Sequence, residues 1–275
     1  MTPDPLLEVV TPRLANVPGV VAVVLGGSRA RGTAHAGSDY DLGLYFRGDR
    51  PLDTDRLLEA TKAFVDEPDK AVVTRVGEWG PWIVGGGWLS ARGRKVDCLY
   101  RSVDDVARVI RDCRDGRVTM DYQPGHPHGF CSAIWMGEIA LCQPLHDPEG
   151  AIAALKAKTV PYPEPLRDAL VGRFLWEVLF SIENGEIAVA RADQSHIAGC
   201  AYRALGCIGQ VLFATNRRYL INEKGALDEA AAFPLTIDGL RDRVASVWEA
   251  IGRAHFLSAF RELRAMEREL KALAP

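Results

Sequence analysis

The stretch Val20–Phe46, VVAVVLGGSRARGTAHAGSDYDLGLYF, decides how the rest of the chain is read. Val20 to Leu25 is an unbroken, β-branched apolar run of strand length, far too short for a membrane helix. Gly26-Gly27-Ser28 breaks the strand, and Arg29 and Arg31 follow in a short polar segment. Asp39-Tyr40-Asp41 then opens a second apolar segment, Leu42 to Phe46. Residues two apart in a strand project from one face, with about 6–7 Å between their Cα atoms. Asp39 and Asp41 are therefore expected side by side. Carboxylates so placed repel each other unless a cation neutralises them, and hard oxygen ligands suit Mg²⁺. The glycine pair lets backbone approach a bulky anion. N–H groups opening the next helical turn can then donate to phosphate oxygens.

The ordered set Gly26-Gly27-Ser28-x-Ala30-x-Gly32, followed by Ser38-Asp39-x-Asp41-Leu42, resembles the signature of the polymerase-β-like nucleotidyltransferases. It is most similar to that of the bacterial small-molecule and antibiotic (aminoglycoside-type) nucleotidyltransferases. The resemblance implies an α+β protein, with an N-terminal nucleotidyltransferase domain of mixed β-sheet flanked by helices and a C-terminal α-helical bundle. It implies Mg²⁺-dependent transfer of a nucleoside monophosphate to a hydroxyl of a small-molecule acceptor, with pyrophosphate released. The donor would be ATP, giving AMP, or another nucleoside triphosphate; the acceptor would be an aminoglycoside-like antibiotic, and the role antibiotic resistance. Asp39 and Asp41 would hold two Mg²⁺ ions. A third carboxylate, which the family brings in on the strand after a hairpin, is matched by Asp97. Gly26, Gly27, Ser28, Arg29, Arg31 and Ser38 would bind the nucleotide. In related adenylyltransferases a lysine in a turn of the helical domain reaches the phosphates, and Lys224 is its match. Some relatives use a glutamate as general base, for which Glu177 is the candidate. Two alternatives stay open: an enzyme acting on a protein or tRNA, as in toxin–antitoxin pairs, and a non-catalytic nucleotide-binding regulator. Kinase-type phosphotransfer is disfavoured, because neither a GxxxxGK[ST] loop nor an HRD-type loop is present.

Composition narrows the setting. A chain of 275 residues has room for two modest domains. With 48% hydrophobic and 25% charged residues it reads as an ordinary soluble globular protein. A net charge of −3 argues against a nucleic-acid partner, which selects for basic excess. The start MTPDPLLEVV lacks the pattern of a signal peptide, and no apolar run is read as membrane-spanning. The six cysteines show no CxxC spacing and read as reduced, buried thiols of a cytoplasmic protein.

Along the chain, helices are expected over 5–16 (bent near Pro12), 54–66, 103–111, 130–141 and 147–159. Strands are expected over 72–76, 83–89 and 95–100, the last two joined by a turn at 91–94. Asp97 interrupts an apolar alternation, and acidic residues are disfavoured inside strands. His126 and His128 fall in a turn-rich loop without cysteine or carboxylate at ligand spacing, so they read as loop or substrate-facing residues. Three prolines in Val160–Pro165 mark a boundary, giving domains 1–160 and 161–275. Beyond it lie apolar stripes at helical spacing. The first, through Leu166, Phe174 and Ile182, is expected to end at Asn184-Gly185. The second runs from Ile197 to Leu212. The third, capped by Thr236, would run from Leu240 to Leu270. Asp193 reads as a helix cap or as a contact for a cationic acceptor.

Overall fold

The computed structural model describes residues 4–274. At its start the Asp4 carboxylate accepts from the Leu6 and Leu7 N–H groups and caps helix α1 (Pro5–Ala15), satisfying donors that a helix start leaves unpaired. The apolar run after it becomes strand β1 (Ala22–Leu25), followed by one short helical turn, α2 (Gly27–Arg31), and β2 (Tyr40–Phe46). Helix α3 (Thr54–Lys62) leads to a hairpin of β3 (Gly86–Ala91) and β4 (Arg94–Ser102). Its two-residue turn has Arg92 and Gly93 both at positive φ, the geometry that matches strand twist. Then come α4 (Val103–Arg114), α5 (Ala133–Leu141), a short strand β5 (Gln143–His146) and α6 (Ala151–Lys156). The sheet order is β3-β4-β2-β1-β5. Within this sheet β2 and β4 run parallel, and its other pairings among the described residues are antiparallel.

Period-2 alternation sorts the two faces of this sheet. Leu42, Leu44, Val96, Cys98 and Tyr100 point one way and pack with Leu6, Val10 and Leu14 of α1 and Leu57 of α3. Each such fully buried aliphatic side chain contributes about 1.5–3 kcal/mol. Asp41, Gly43 and Tyr45 of β2 face the other way, in register with Asp97, Leu99 and Arg101 of β4. At one end of that second face Arg101 is fully buried and holds both carboxylate oxygens of Glu138 on α5, at 2.8 and 2.9 Å. The other end carries the acidic pair.

Contacts divide the chain into two compact units. The first comprises the residues up to Arg111, Asp121–Gly125 and Trp135–Pro161; the second comprises Asp112–Met120, His126–Ile134 and Tyr162 onward. The second unit is helical: α7 (Glu164–Val189), α8 (Gln194–Thr215), α9 (Ala226–Ala230), α10 (Leu240–Gly252) and α11 (Phe256–Leu273). Its core joins Phe174, Val178 and Ile182 to Ala201, Leu205, Ile208, Phe260, Leu263 and Met266, all buried. The fold is α+β, with a helical C-terminal region, as the sequence implied.

Several elements differ from expectation for identifiable reasons. Residues 72–76 form no strand; Val72 and Val76 are exposed, and Thr74 bonds Gly86 through its N–H and its hydroxyl. The hairpin starts at Gly86 instead of Ile83. Helix α7 runs through Gly185, which serves packing: a Cβ there would lie 2.1 Å from Phe260 Cζ and 3.1 Å from Cys200 Cβ. The third stripe breaks into α10 and α11 at Arg253–His255, where Ala254 takes positive φ. Thr236 is no cap; Gly239 precedes α10. The helix expected at 147 begins at Ala151, with the Asp147 carboxylate accepting from Ile152 and Ala153 N–H. Asp193 caps α8 by accepting from His196 N–H. By length and composition α8 is apolar enough to cross a membrane, yet 67% of its most apolar window is buried within the protein. All six cysteines are free, and burial pushes the Cys98 and Cys113 thiols up to about 12.

Candidate active site

The apolar run of β1 delivers Gly26 and Gly27 to the edge of the acidic end of the sheet. Gly26 N–H donates to the Asp41 carbonyl at 2.7 Å, which ties the turn to the start of β2. Gly27 has φ +60°, and a Cβ built on it would lie 1.7 Å from Asp41 Oδ2. Only glycine meets both demands. The Asp41 carboxylate thus rests against the backbone of the glycine turn, in the place a side chain would fill.

Register then brings in the third acid. Asp41 and Asp97 are direct Cα partners on the parallel strands β2 and β4, about 5 Å apart as neighbouring strands are. Asp39 stands two residues before Asp41, just ahead of β2. Trp88 of β3 is the Cα partner of Asp97 on its far side. Asp41, Asp97 and Trp88 therefore form one row across three strands. All three acids are half-buried. The Asp97 charge, after burial itself, helps push the adjacent Cys98 thiol up.

A cavity of about 470 Å³ opens beside this row, lined among others by Asp39, Asp97, Trp88, Lys70 and Lys95. Trp88 is 72% exposed although its indole stacks on Trp79, with ring centroids 4.5 Å apart and planes at 21°. Trp79 covers one ring face and leaves the other available. Neither tryptophan was singled out from sequence, and only their place on a hairpin beside Asp97 gives them meaning.

Other expected residues take definite places. Arg29 donates to the Ser38 carbonyl at 2.7 Å and the Asp39 carbonyl at 3.1 Å, and its guanidinium lies over the Tyr40 ring at 3.7 Å. It holds the segment entering β2 and so positions Asp39. Ser38 Oγ accepts from His35 N–H. Ser28 is half-buried on α2, and Arg31 is exposed at its end. Gln143 of β5 donates to the Ala30 carbonyl and fixes α2 from the other edge. In the second unit, Oε1 of Glu177 accepts from two nitrogens of Arg203, at 2.6 and 2.5 Å. Its carboxylate secures α7 to α8. Lys224 is exposed, on the turn just before α9, where its N–H donates to Asn222 Oδ1.

The donor set at the acidic row fits a hard divalent cation: three carboxylates, and no histidine from β2 or β4. Among the described residues no three His, Cys, Asp or Glu side chains are gathered as a ready ligand group. The Asp41 carboxylate is turned toward Gly27, so the backbone register, more than the side-chain rotamers, carries the convergence.

Residues 10–78 match the family described as "Nucleotidyltransferase domain"; the match includes the glycine turn, Asp39 and Asp41, and ends before Asp97. No curated protein matches the chain. Among solved structures it is similar to a nucleotidyltransferase-like protein from Exiguobacterium sibiricum 255-15, at 12% identity and a TM-score of 0.43, covering 95% of this chain and 73% of that one. The strand–turn–strand unit that carries Gly27, Asp39 and Asp41 is thus part of a nucleotidyltransferase domain, and the chain is an enzyme of nucleotidyl transfer.

Proposed function

We propose that the chain is a Mg²⁺-dependent nucleotidyltransferase that moves a nucleoside monophosphate, AMP from ATP, onto a hydroxyl of a ring-bearing small molecule of the aminoglycoside kind. The observation that carries this is the row Asp41–Asp97–Trp88, with Asp39 at its entrance and Gly27 closed against Asp41. Asp39, Asp41 and Asp97 would hold the metal. Bound Mg²⁺ supplies Lewis-acid stabilisation to the attacking and leaving oxygens.

In the proposed reaction the acceptor oxygen attacks the α-phosphorus. The new O–Pα bond forms as the bond from Pα to the β-bridging oxygen breaks, and pyrophosphate leaves. The acceptor proton passes to Asp97, which lines the cavity and is the Cα partner of Trp88. Gly26, Gly27 and Ser28 form the backbone turn against which the triphosphate packs. Arg29 acts by holding Asp39, and Arg31 supplies positive charge at the exposed end of α2. Lys224 is kept as a phosphate partner on the resemblance alone. Glu177, committed to Arg203, takes no part in the chemistry.

The cavity favours a ring-bearing acceptor, because the free face of Trp88 suits the apolar face of a ring and Asp39 and Asp97 suit hydroxyl or ammonium groups. The net charge of −3 and the reduced cysteines support a small-molecule acceptor and a cytoplasmic setting. The test is a panel of ring-bearing hydroxyl acceptors incubated with ATP, GTP, CTP and UTP and read by product mass. A nucleoside monophosphate adduct is expected. Products that gain a phosphoryl group without the nucleoside, or no adduct with any acceptor, would overturn the assignment.

A further inference from the structure

Helix α7 turns one side into the helical core and leaves the opposite, largely apolar side uncovered. Phe174, Val178 and Ile182 point inward and are buried. On the other side Trp176 is 63% exposed and Ile187 74%, with Phe180 exposed between them. At about 100° per residue, these three share a stripe roughly 80° wide with Ala169, Arg173 and Glu183. The Trp176 and Phe180 rings stack with centroids 5.0 Å apart and planes at 16°, making one flat apolar plate. Together with Ile187 they leave uncovered on the order of a few hundred Å² of apolar surface, the size that marks an interaction site.

Two satisfied ion pairs flank the stripe. On the α8 side Glu177 accepts from Arg203 at 2.6 Å, and on the α11 side Glu186 accepts two bonds of 2.6 Å from Arg264. Arg173 and Glu183, inside the stripe, are exposed and make no ion pair among the described residues. An apolar centre with a paired polar rim is the anatomy of a protein interface. The two opposite charges left over require a partner that answers both.

Their order along the helix says what that partner is. Trp176 and Phe180 stand two residues before and after Val178, Arg173 and Glu183 five before and after it, and Ala169 and Ile187 nine. Laid antiparallel on itself about the level of Val178, α7 sets each Arg173 against Glu183 of the second copy. Each Trp176 then meets Phe180, and small Ala169 meets large Ile187. No like charges face each other, and every contact occurs twice, as an isologous interface demands. The stripe is about 27 Å long, enough for two helices packed with axes about 8–10 Å apart. An anionic membrane is a poorer match, because the stripe holds Glu183 and carries no basic excess.

We propose that the chain forms a homodimer through this side of α7, its two copies antiparallel about Val178. The Trp176–Phe180 plates pack at the centre, and Arg173–Glu183 pairs close both ends. A specific interface buries about 800 Å² per partner, so the stripe forms its core and the Glu177–Arg203 and Glu186–Arg264 pairs its rim.

The test follows the full chain by sedimentation velocity at rising micromolar concentration, with circular dichroism on the same samples. A reversible dimer is expected. Arg173→Glu alone, or Glu183→Arg alone, places like charges at both ends of the contact and should weaken association at least about tenfold, with native spectra. Mixed one to one, the two variants should associate as tightly as the parent, because each then faces its opposite charge. The doubly swapped chain, Arg173→Glu with Glu183→Arg, should dimerise by itself. A monomeric parent, a dimer indifferent to either single change, or a mixture that stays monomeric would each overturn the proposal. So would a monomer that floats with vesicles of phosphatidylcholine and phosphatidylglycerol, which would give the face to a membrane.

Discussion

Replacing Gly27 by alanine tests the link between the glycine turn and the acid it holds. The added Cβ would sit 1.7 Å from Asp41 Oδ2, so the carboxylate must move by more than 1 Å to restore van der Waals contact. The backbone at φ +60° adds about 1–2 kcal/mol of strain for an L side chain. Strain of that size lowers the melting temperature of a chain this long by roughly 2–8 °C. The effect on chemistry is expected to be larger, since a misplacement of about 1 Å in a reacting array costs on the order of 100-fold in rate. The assay is pyrophosphate release at saturating nucleoside triphosphate, with melting followed by circular dichroism on the same preparation. A kcat reduced about 100-fold in a folded protein is the expected result. A kcat within threefold of the parent would refute the claim that Asp41 must lie against that backbone.

Other consequences are equally specific. Trp88→Ala should raise the acceptor KM about tenfold and leave the KM for nucleoside triphosphate unchanged, because the indole faces the cavity beside Asp97; equal effects on both constants would remove its role. Glu138→Ala strands the buried Arg101 guanidinium and should cost roughly 3 kcal/mol, read as a lower urea midpoint; an unchanged midpoint contradicts the pairing. His128 has an ordinary pKa of 6.5 and a folded value of about 4. Its neutral form is favoured by folding, so its stability contribution is complete above pH 6.5 and disappears as pH falls through about 4. The linkage amounts to at most about 3 kcal/mol. His128→Gln should flatten that slope in urea titrations, and an identical slope in the variant would assign it elsewhere.

The parts of the fold that were legible in the sequence are those set by local pattern. The β-branched run Val20–Leu25, the break at Gly26-Gly27 and the alternation after Asp39 each encode strand or turn chemistry within a few residues. Asp97 stood out because acid is foreign to a strand interior. What local pattern could not give was partnership. The Asp41–Asp97 register depends on a parallel pairing across an intervening helix and hairpin, and nothing near either residue announces it. Arg29 carries a charge that suggests phosphate, whereas the fold turns it onto the Ser38 and Asp39 carbonyls. Glu177 looked available until Arg203, on the next helix, took its carboxylate. Gly185 has the composition of a helix end, and only the ring of Phe260 against it explains why the helix continues. Short strand β5 escaped notice because four residues including a proline carry too little periodicity to read.

The most direct measurement follows the two ends of the triphosphate separately. ATP labelled at the α- or the γ-phosphorus is given, with Mg²⁺ and an accepted ring-bearing substrate, to the parent chain and to Asp41→Asn and Asp97→Asn. The parent is predicted to place α-label on the acceptor and γ-label in pyrophosphate, with both variants folded and at least 1,000-fold slower, on the order of 4 kcal/mol of lost transition-state stabilisation. Appearance of γ-label on the acceptor, or transfer of α-label by either variant at the parent rate, would contradict an acidic row built for nucleotidyl transfer.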